Sequence, residues 1–326
     1  MEAATAKSNK GVFKTIFARR EIVLVAAMVI ASIIIGIIEP IFLSRPNIFS
    51  MLTSITLDGM ISIGMVLCLA CGELDLSVGM TMAFSGVLSA IFLTHGVPVV
   101  VTIILSMAVA LGIGAVNAFL VSVVGLNSFI TTLGMSSVAQ GLMLVFSNGH
   151  SITGLPEGFT NIGQGKVFGI QYPVIILFVI VIIMDILFRN AKVFRKVFYV
   201  GSNEKAASLN GINVRKVKTM CFLLCAGFSG LAGILLTARF GSSSVTVGSS
   251  TPMNAITACI IGGASLNGGK GSVWGAVLGA LLLAMLSTAL NLLGVNIYWQ
   301  NFITGVILIV AILFDVLSER GKAAAK

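Results

Sequence analysis

Ten apolar intervals divide the chain, near 22–38, 51–71, 78–94, 97–124, 130–146, 173–188, 219–238, 252–265, 273–294 and 298–317. Most are unbroken runs close to the roughly 20 residues that carry a helix across a bilayer. Strands of an outer-membrane barrel would instead alternate polar and apolar over about 10 residues. From Leu76 to Pro156 there is no Asp, Glu, Lys or Arg, a stretch of 81 residues. The pattern predicts an all-α, polytopic helical membrane protein with about ten transmembrane segments. Intervals 130–146 and 252–265 are short enough to be half-helices, so eight or twelve crossings stay open.

Composition removes the alternatives. Of 326 residues 57% are hydrophobic and 10% charged, against about 25% charged in a soluble domain. A soluble enzyme, a nucleic-acid binder and a disordered chain are excluded. The net charge is +9, and its placement matters more than its size. Basic residues gather before the first apolar run (Lys7, Lys10, Lys14, Arg19, Arg20), between Arg189 and Lys218, and at the end (Arg320, Lys322, Lys326). Cytoplasmic loops retain Lys and Arg, so all three blocks are expected on the cytoplasmic side. Six intervals separate the first block from the second and four separate the second from the third; both counts are even, as one shared face requires. Ile22 to Ile38 ends in Glu39-Pro40 without a small-x-small cleavage site, so it is expected to stay as a helix rather than leave as a secretory leader.

The resulting plan has a basic segment 1–21, a first membrane half 22–188, a cytoplasmic loop 189–218, a second membrane half 219–317 and a tail 318–326. Gly72-Glu73-Leu74-Asp75-Leu76-Ser77-Val78-Gly79 and Ala264-Ser265-Leu266-Asn267-Gly268-Gly269-Lys270-Gly271 echo each other, as do Phe129-Ile130-Thr131 and Phe302-Ile303-Thr304. An internal repeat of two halves around a midplane pathway is expected, as in many transporters.

Several segments carry candidate chemistry. Two carboxylates inside a continuous helix would cost about 2.5–3.5 kcal/mol each at the membrane centre. Breaking the helix at Gly72 and Gly79 is cheaper when the freed backbone faces protein or a water-filled path. Glu73, Asp75 and Ser77 thus belong either to a pathway-lining hinge, with Asp75-Leu76-Ser77 capping the next helix, or to a capped loop at the surface. Asn267, Gly268 and Gly271 are the second-half counterparts. Gly271, Gly275 and Gly279 form a stripe for close helix packing, internal or between subunits. The five cysteines lie in apolar stretches, and with His95 and His150 as the histidines neither a metal site nor a cofactor is expected. A phosphate-binding loop is also excluded: Lys270 is followed by Gly271, and Ala264 stands where its first glycine belongs.

In the basic loop, Gly201 to Ile212 reads as a short capped helix. Ser202 or Asn203 accepts from the free amides, Glu204 suits the positive end, Ala206 and Ala207 give a smooth face, and Gly211 fits the left-handed position beyond the end. Such a stiff element could receive mechanical force, or be an ordinary surface loop.

At this loop the sequence resembles the permease subunits of bacterial ABC importers of the ribose-type monosaccharide family. The likeness rests on Gly201-x-Asn203-x-x-Ala206-Ala207-x-x-x-Gly211-Ile212-Asn213-Val214-Arg215, on 72–79, on Phe129-Ile130-Thr131-Thr132-Leu133-Gly134, and on Ile261 to Ser272. The resemblance implies a subunit that pairs with itself or a sister permease. It implies two cytoplasmic ATP-binding subunits or one fused ATPase, and an extracytoplasmic solute-binding protein that delivers a sugar. Asn203, Glu204, Ala206, Ala207, Gly211, Ile212 and Arg215 would then couple to the ATPase, in the inner membrane with both termini cytoplasmic. Glu73 stands where many members carry an uncharged residue. Residues alone leave a rival open, an ion-gradient-driven transporter or channel using Glu73 and Asp75. The polar positions Asn117, Gln140, Asn254 and Asn291 are unranked candidates for solute contact.

Overall fold

A computed structural model describes residues 20–324. The basic residues Lys7, Lys10, Lys14, Arg19 and Lys326 lie outside that range. In chain order the helices are α1 (Arg20–Ile38), α2 (Arg45–Ala70), α3 (Val78–Thr94), α4 (Val99–Phe119, prolonged by a wide turn Leu120–Val124) and α5 (Ser128–Ser147). There follow α6 (Glu157–Gln164), a hairpin of β1 (Lys166–Val167) and β2 (Ile170–Gln171), α7 (Tyr172–Asn190), α8 (Lys192–Ser202) and α9 (Glu204–Leu209). The chain closes with α10 (Val214–Phe240), α11 (Thr251–Ile261), α12 (Val273–Leu292) and α13 (Ile297–Ala324). In an apolar surround every backbone amide and carbonyl needs an internal partner, which is why sequences this rich in Val and Ile form helices here.

Among the described residues, eight helices are long and apolar enough to cross a membrane. Of the two intervals short enough to be half-helices, 130–146 is a full helix of 20 residues, whereas α11 has 11; α3 has 17. The two shorter helices complete their passes through non-helical chain. Residues 71–77 rise from the end of α2 before α3 begins, and 241–250 descend from the end of α10 before α11 begins. The two broken passes run in opposite directions and touch at Gly79 and Gly248, where a side chain on either glycine would collide with the other's carbonyl.

The ends of the passes sort onto two faces. Gly269 donates its amide to the Ala70 carbonyl at 2.9 Å. Ser272 reaches Glu21 at 2.9 Å and Ser265 reaches Asp315 at 3.1 Å. The start of α1, the end of α13 and the 189–218 region therefore share one face, called the basic face below. Helix α2 is the most enclosed of the eight, with 78% of its span buried, whereas α1 is 6% buried and presents its apolar side outward. Helix α10 presses onto α2 and α3 through small residues: Gly64 lies against Cys225, Gly233 against the Met82 carbonyl, and Gly86 against Gly233 and Thr237. Such contacts bring backbones close where lipid offers no hydrophobic drive. Serines add to the packing: Ser85 on α3 donates to the Gly230 carbonyl of α10 at 3.1 Å, and Ser89 on α3 to Ser106 on α4 at 2.8 Å.

Gly79→Val forces the two broken passes apart and should cost about 1–3 kcal/mol, read as a lowered unfolding temperature of the purified protein in detergent. Gly134→Val meets open space and should leave that temperature unchanged. Equal stability of the two variants would refute the contact.

Candidate functional site

The stretch 71–77 survives inside the bundle because neighbouring helices supply its hydrogen bonds. Leu74 and Leu76 donate their amides to the hydroxyls of Ser128 (3.3 Å) and Thr132 (2.9 Å) on α5. Ser77 donates to one Asp75 carboxylate oxygen from its amide at 2.9 Å and from its hydroxyl at 2.6 Å. Asn117 on α4 donates to the Ser77 hydroxyl at 2.9 Å. Asp75 therefore holds the turn just ahead of α3 while Ser77 occupies the cap position without a side-chain bond into the helix. A carboxylate there also faces the positive end of the α3 dipole. Asp75, Ser77 and Asn117 are all buried.

Sequence reasoning singled out Asp75 and Ser77 but missed Ser128 and Thr132 as their supports. The available signal was two hydroxyl residues four apart, on one face of an otherwise apolar helix.

Glu73, two residues outward, meets the basic face. Lys218 at the start of α10 lies 2.8 Å from Glu73 and 2.9 Å from Glu204 on α9. The Lys218 and Glu73 side chains are 12% and 10% exposed, and Glu204 is 57% exposed. One lysine thus ties a surface helix to the mouth of the broken pass. These three residues and Gly72 line a cleft of about 1050 Å³ with Ser128, Lys205, Ile212 and Arg215.

Helix α9 forms as the residues dictate. Asn203 accepts from the Ala206 amide at 2.9 Å, and Glu204 opens the first turn. The chain leaves through Gly211 at φ 77°, with the Ile212 amide closing onto the Ala207 carbonyl at 3.1 Å. The positive φ favours glycine. The two alanines expected to form one smooth face part company: Ala206 is exposed, but Ala207 is buried in the main core. Leu209 is the outward apolar residue, at 89% exposure.

The second-half loop lies at the basic face rather than beside the interior break. Gly268 and Gly269 pack on Gly201 and Ser202, Gly271 packs on Val66 and Ala70, and Asn267 is exposed. A side chain at Gly201 would strike the Ala70 carbonyl, so the end of α8 is fixed between α2 and this loop. Gly275 and Gly279 meet the backbone of Gly262 and Ala258, which places the glycine stripe within this chain's own core. The partner of 71–77 in the interior is instead 241–250, anchored at the far face where Ser243 donates to the Ile152 carbonyl at 2.9 Å. Of the remaining polar candidates, Gln140 is exposed, and Asn254 and Asn291 line a separate polar chamber.

Residues 47–312 match the permease family described as the branched-chain amino acid transport system permease component. The chain is 37% identical over 285 residues to the ribose import permease protein RbsC of Bacillus subtilis, covering 87% of this chain and 88% of that protein. It is 33% identical over 293 residues to RbsC of Escherichia coli K12, covering 89% and 91%. It is 34% identical over 323 residues to the L-arabinose ABC transporter permease protein AraH of Azospirillum brasilense, covering 99% and 94%. No solved structure matches the chain.

Lys218→Met leaves the Glu73 carboxylate enclosed without a partner and should destabilise the protein by about 3 kcal/mol. Adding Glu73→Gln should recover most of that loss. Glu204→Gln should cost under about 1 kcal/mol, because that partner is solvated. Thermal unfolding of the wild type, Lys218→Met, Glu73→Gln and their double measures the cycle, with Glu204→Gln read beside it, and an additive double variant would show that the clasp carries no coupling.

Proposed function

The chain belongs to the permease-component family just described, and on that premise we propose that it is the membrane subunit of an ATP-binding-cassette importer for a monosaccharide. The basic face lies in the cytoplasm, in keeping with the retention of Lys and Arg there, and the membrane is the bacterial inner membrane. A second permease subunit, identical or a sister, lies beside it. Two ATP-binding subunits, or one fused ATPase, sit beneath, and an extracytoplasmic binding protein delivers the sugar. The relatives' names support the solute class, since they specify ribose and L-arabinose. Asn203 at the cap of α9 and Glu204 and Leu209 within it form the seat for the ATPase, with Ala206 beside them; Ala207, Gly211 and Ile212 hold that helix to the membrane domain.

One observation carries the mechanism: the Lys218 clasp between Glu204 on α9 and Glu73 at the break. A push on α9 is borne by Lys218 and Glu73 to 71–77, and through that stretch to α3. Because α3 meets the second broken pass at Gly79 and Gly248, tilting one pass against the other opens one face as the other closes. The gradient-driven rival loses Glu73, which the lysine neutralises, and must rely on Asp58 or Asp75.

Leu209→Asp should abolish co-purification with the ATPase and reduce sugar uptake at least tenfold while membrane insertion stays at the wild-type level. Unaltered uptake would count strongly against the seat. In proteoliposomes holding the whole importer, uptake should require ATP and the binding protein; accumulation driven by an ion gradient alone would favour the rival.

A further inference from the structure

A second concentration of polar side chains lies between α2, the start of α11, the end of α12 and the start of α13. It encloses about 430 Å³, within the range of small-molecule sites. Its walls carry Asp58 and Asn47 from α2, Asn254 from α11, Ser287 and Asn291 from α12, and Gln300 from α13. In a chain this apolar the clustering demands a reason, because polar groups at membrane depth are costly unless they face water or a ligand.

Position and preorganisation give that reason. Asp58 lies twelve residues from Ala70, or about 18 Å along the helix, near the middle of a core about 30 Å thick. The chamber therefore reaches from the far face to the midplane. The first turn of α11 enters it at Asn254, where the broken pass becomes helical. Buried Gln300 is held in place: its amide donates to the Asn291 side chain at 2.7 Å and to the Val295 carbonyl at 3.2 Å, and its oxygen accepts from Ser287 at 3.2 Å. Asp58 forms no ion pair among the described residues.

We propose that this chamber receives the transported solute, and that it selects an uncharged polyhydroxylated molecule. Resting on the importer reading, this gives the solute a place on this chain. The Asp58 carboxylate accepts from neighbouring hydroxyls, and the carboxamides of Asn47, Asn254 and Asn291 both donate and accept, as a sugar's hydroxyls require. No Lys or Arg lines the chamber. The carboxylate of a free amino acid would find no cation there and would face Asp58, so the chemistry favours a sugar over the amino acids in the family's description.

The test uses the assembled importer with its ATPase and binding protein. Ser54 also lines the chamber and is exposed, and the five native cysteines are buried, so Ser54→Cys offers a clean target for a water-soluble thiol reagent. A mixture of D-ribose, L-arabinose, D-xylose and D-allose should slow its modification at least threefold, and L-leucine should not. Asp58→Asn should reduce uptake of the same sugars at least tenfold at equal amounts of assembled complex. If the wild type transports a sugar while Ser54→Cys is unprotected and Asp58→Asn transports normally, the chamber is not the solute site. Protection by L-leucine overturns the solute class. A wild-type importer that takes up none of the four sugars overturns the importer reading itself, and the chamber with it.

Discussion

The structure depends on satisfying backbone polar groups where no water is available to do it. Eight passes meet that demand by being helical from end to end. Two do not, and the rest of the architecture is arranged to make those two tolerable. Hydroxyls on α5 and an amide on α4 take up the polar groups of 71–77, and two glycines allow the broken passes to touch backbone to backbone. A stretch held by side chains rather than by an intrahelical ladder can shift without unwinding a helix. That is the property a moving part inside a rigid bundle needs.

In the proposed mechanism force reaches such a part from outside, and among the described residues the charged linkage at the mouth of the break is the Lys218 clasp. Its two carboxylates differ in surroundings, Glu73 enclosed and Glu204 solvated. The enclosed pair is the firmer because weaker screening strengthens its Coulomb attraction. The solvated pair is the one that can rearrange in the proposed displacement of α9. The polar chamber stands at the other broken pass, so the element proposed to move and the element proposed to meet the solute join at one glycine contact.

Much of this was legible in the residues. Uncharged runs gave the all-α membrane fold, and the basic blocks with an even number of passes between them called for one shared face, where the start of α1 and the end of α13 do lie. The asparagine, glutamate and glycine around α9 specified its caps through local rules that act over three or four residues. The inward turn of Ala207 and the outward turn of Leu209 were not legible, because a six-residue helix flanked by loops has no periodicity long enough to fix its face. The partner of the first break was legible only as a faint likeness. The echo between 72–79 and 264–271 pairs segments that end at the same face, whereas the interior contact is made by the chain at 241–250, whose Gly241-x-x-x-Val245-Thr246-Val247-Gly248 matches Gly72-x-x-x-Leu76-Ser77-Val78-Gly79 in a pattern too short and too apolar to stand out in this chain.

By itself, then, the sequence determined which stretches form the long apolar helices, how α9 is capped, and where the basic residues gather. These follow from hydrophobic transfer and local hydrogen bonding, both set by neighbouring residues. Tertiary structure alone decided that Glu73 and Glu204 share Lys218, that Gly79 meets Gly248, and that polar side chains from four separate helices line one chamber. Those pairings join residues far apart in the chain, and only the packing of the whole bundle brings them within reach.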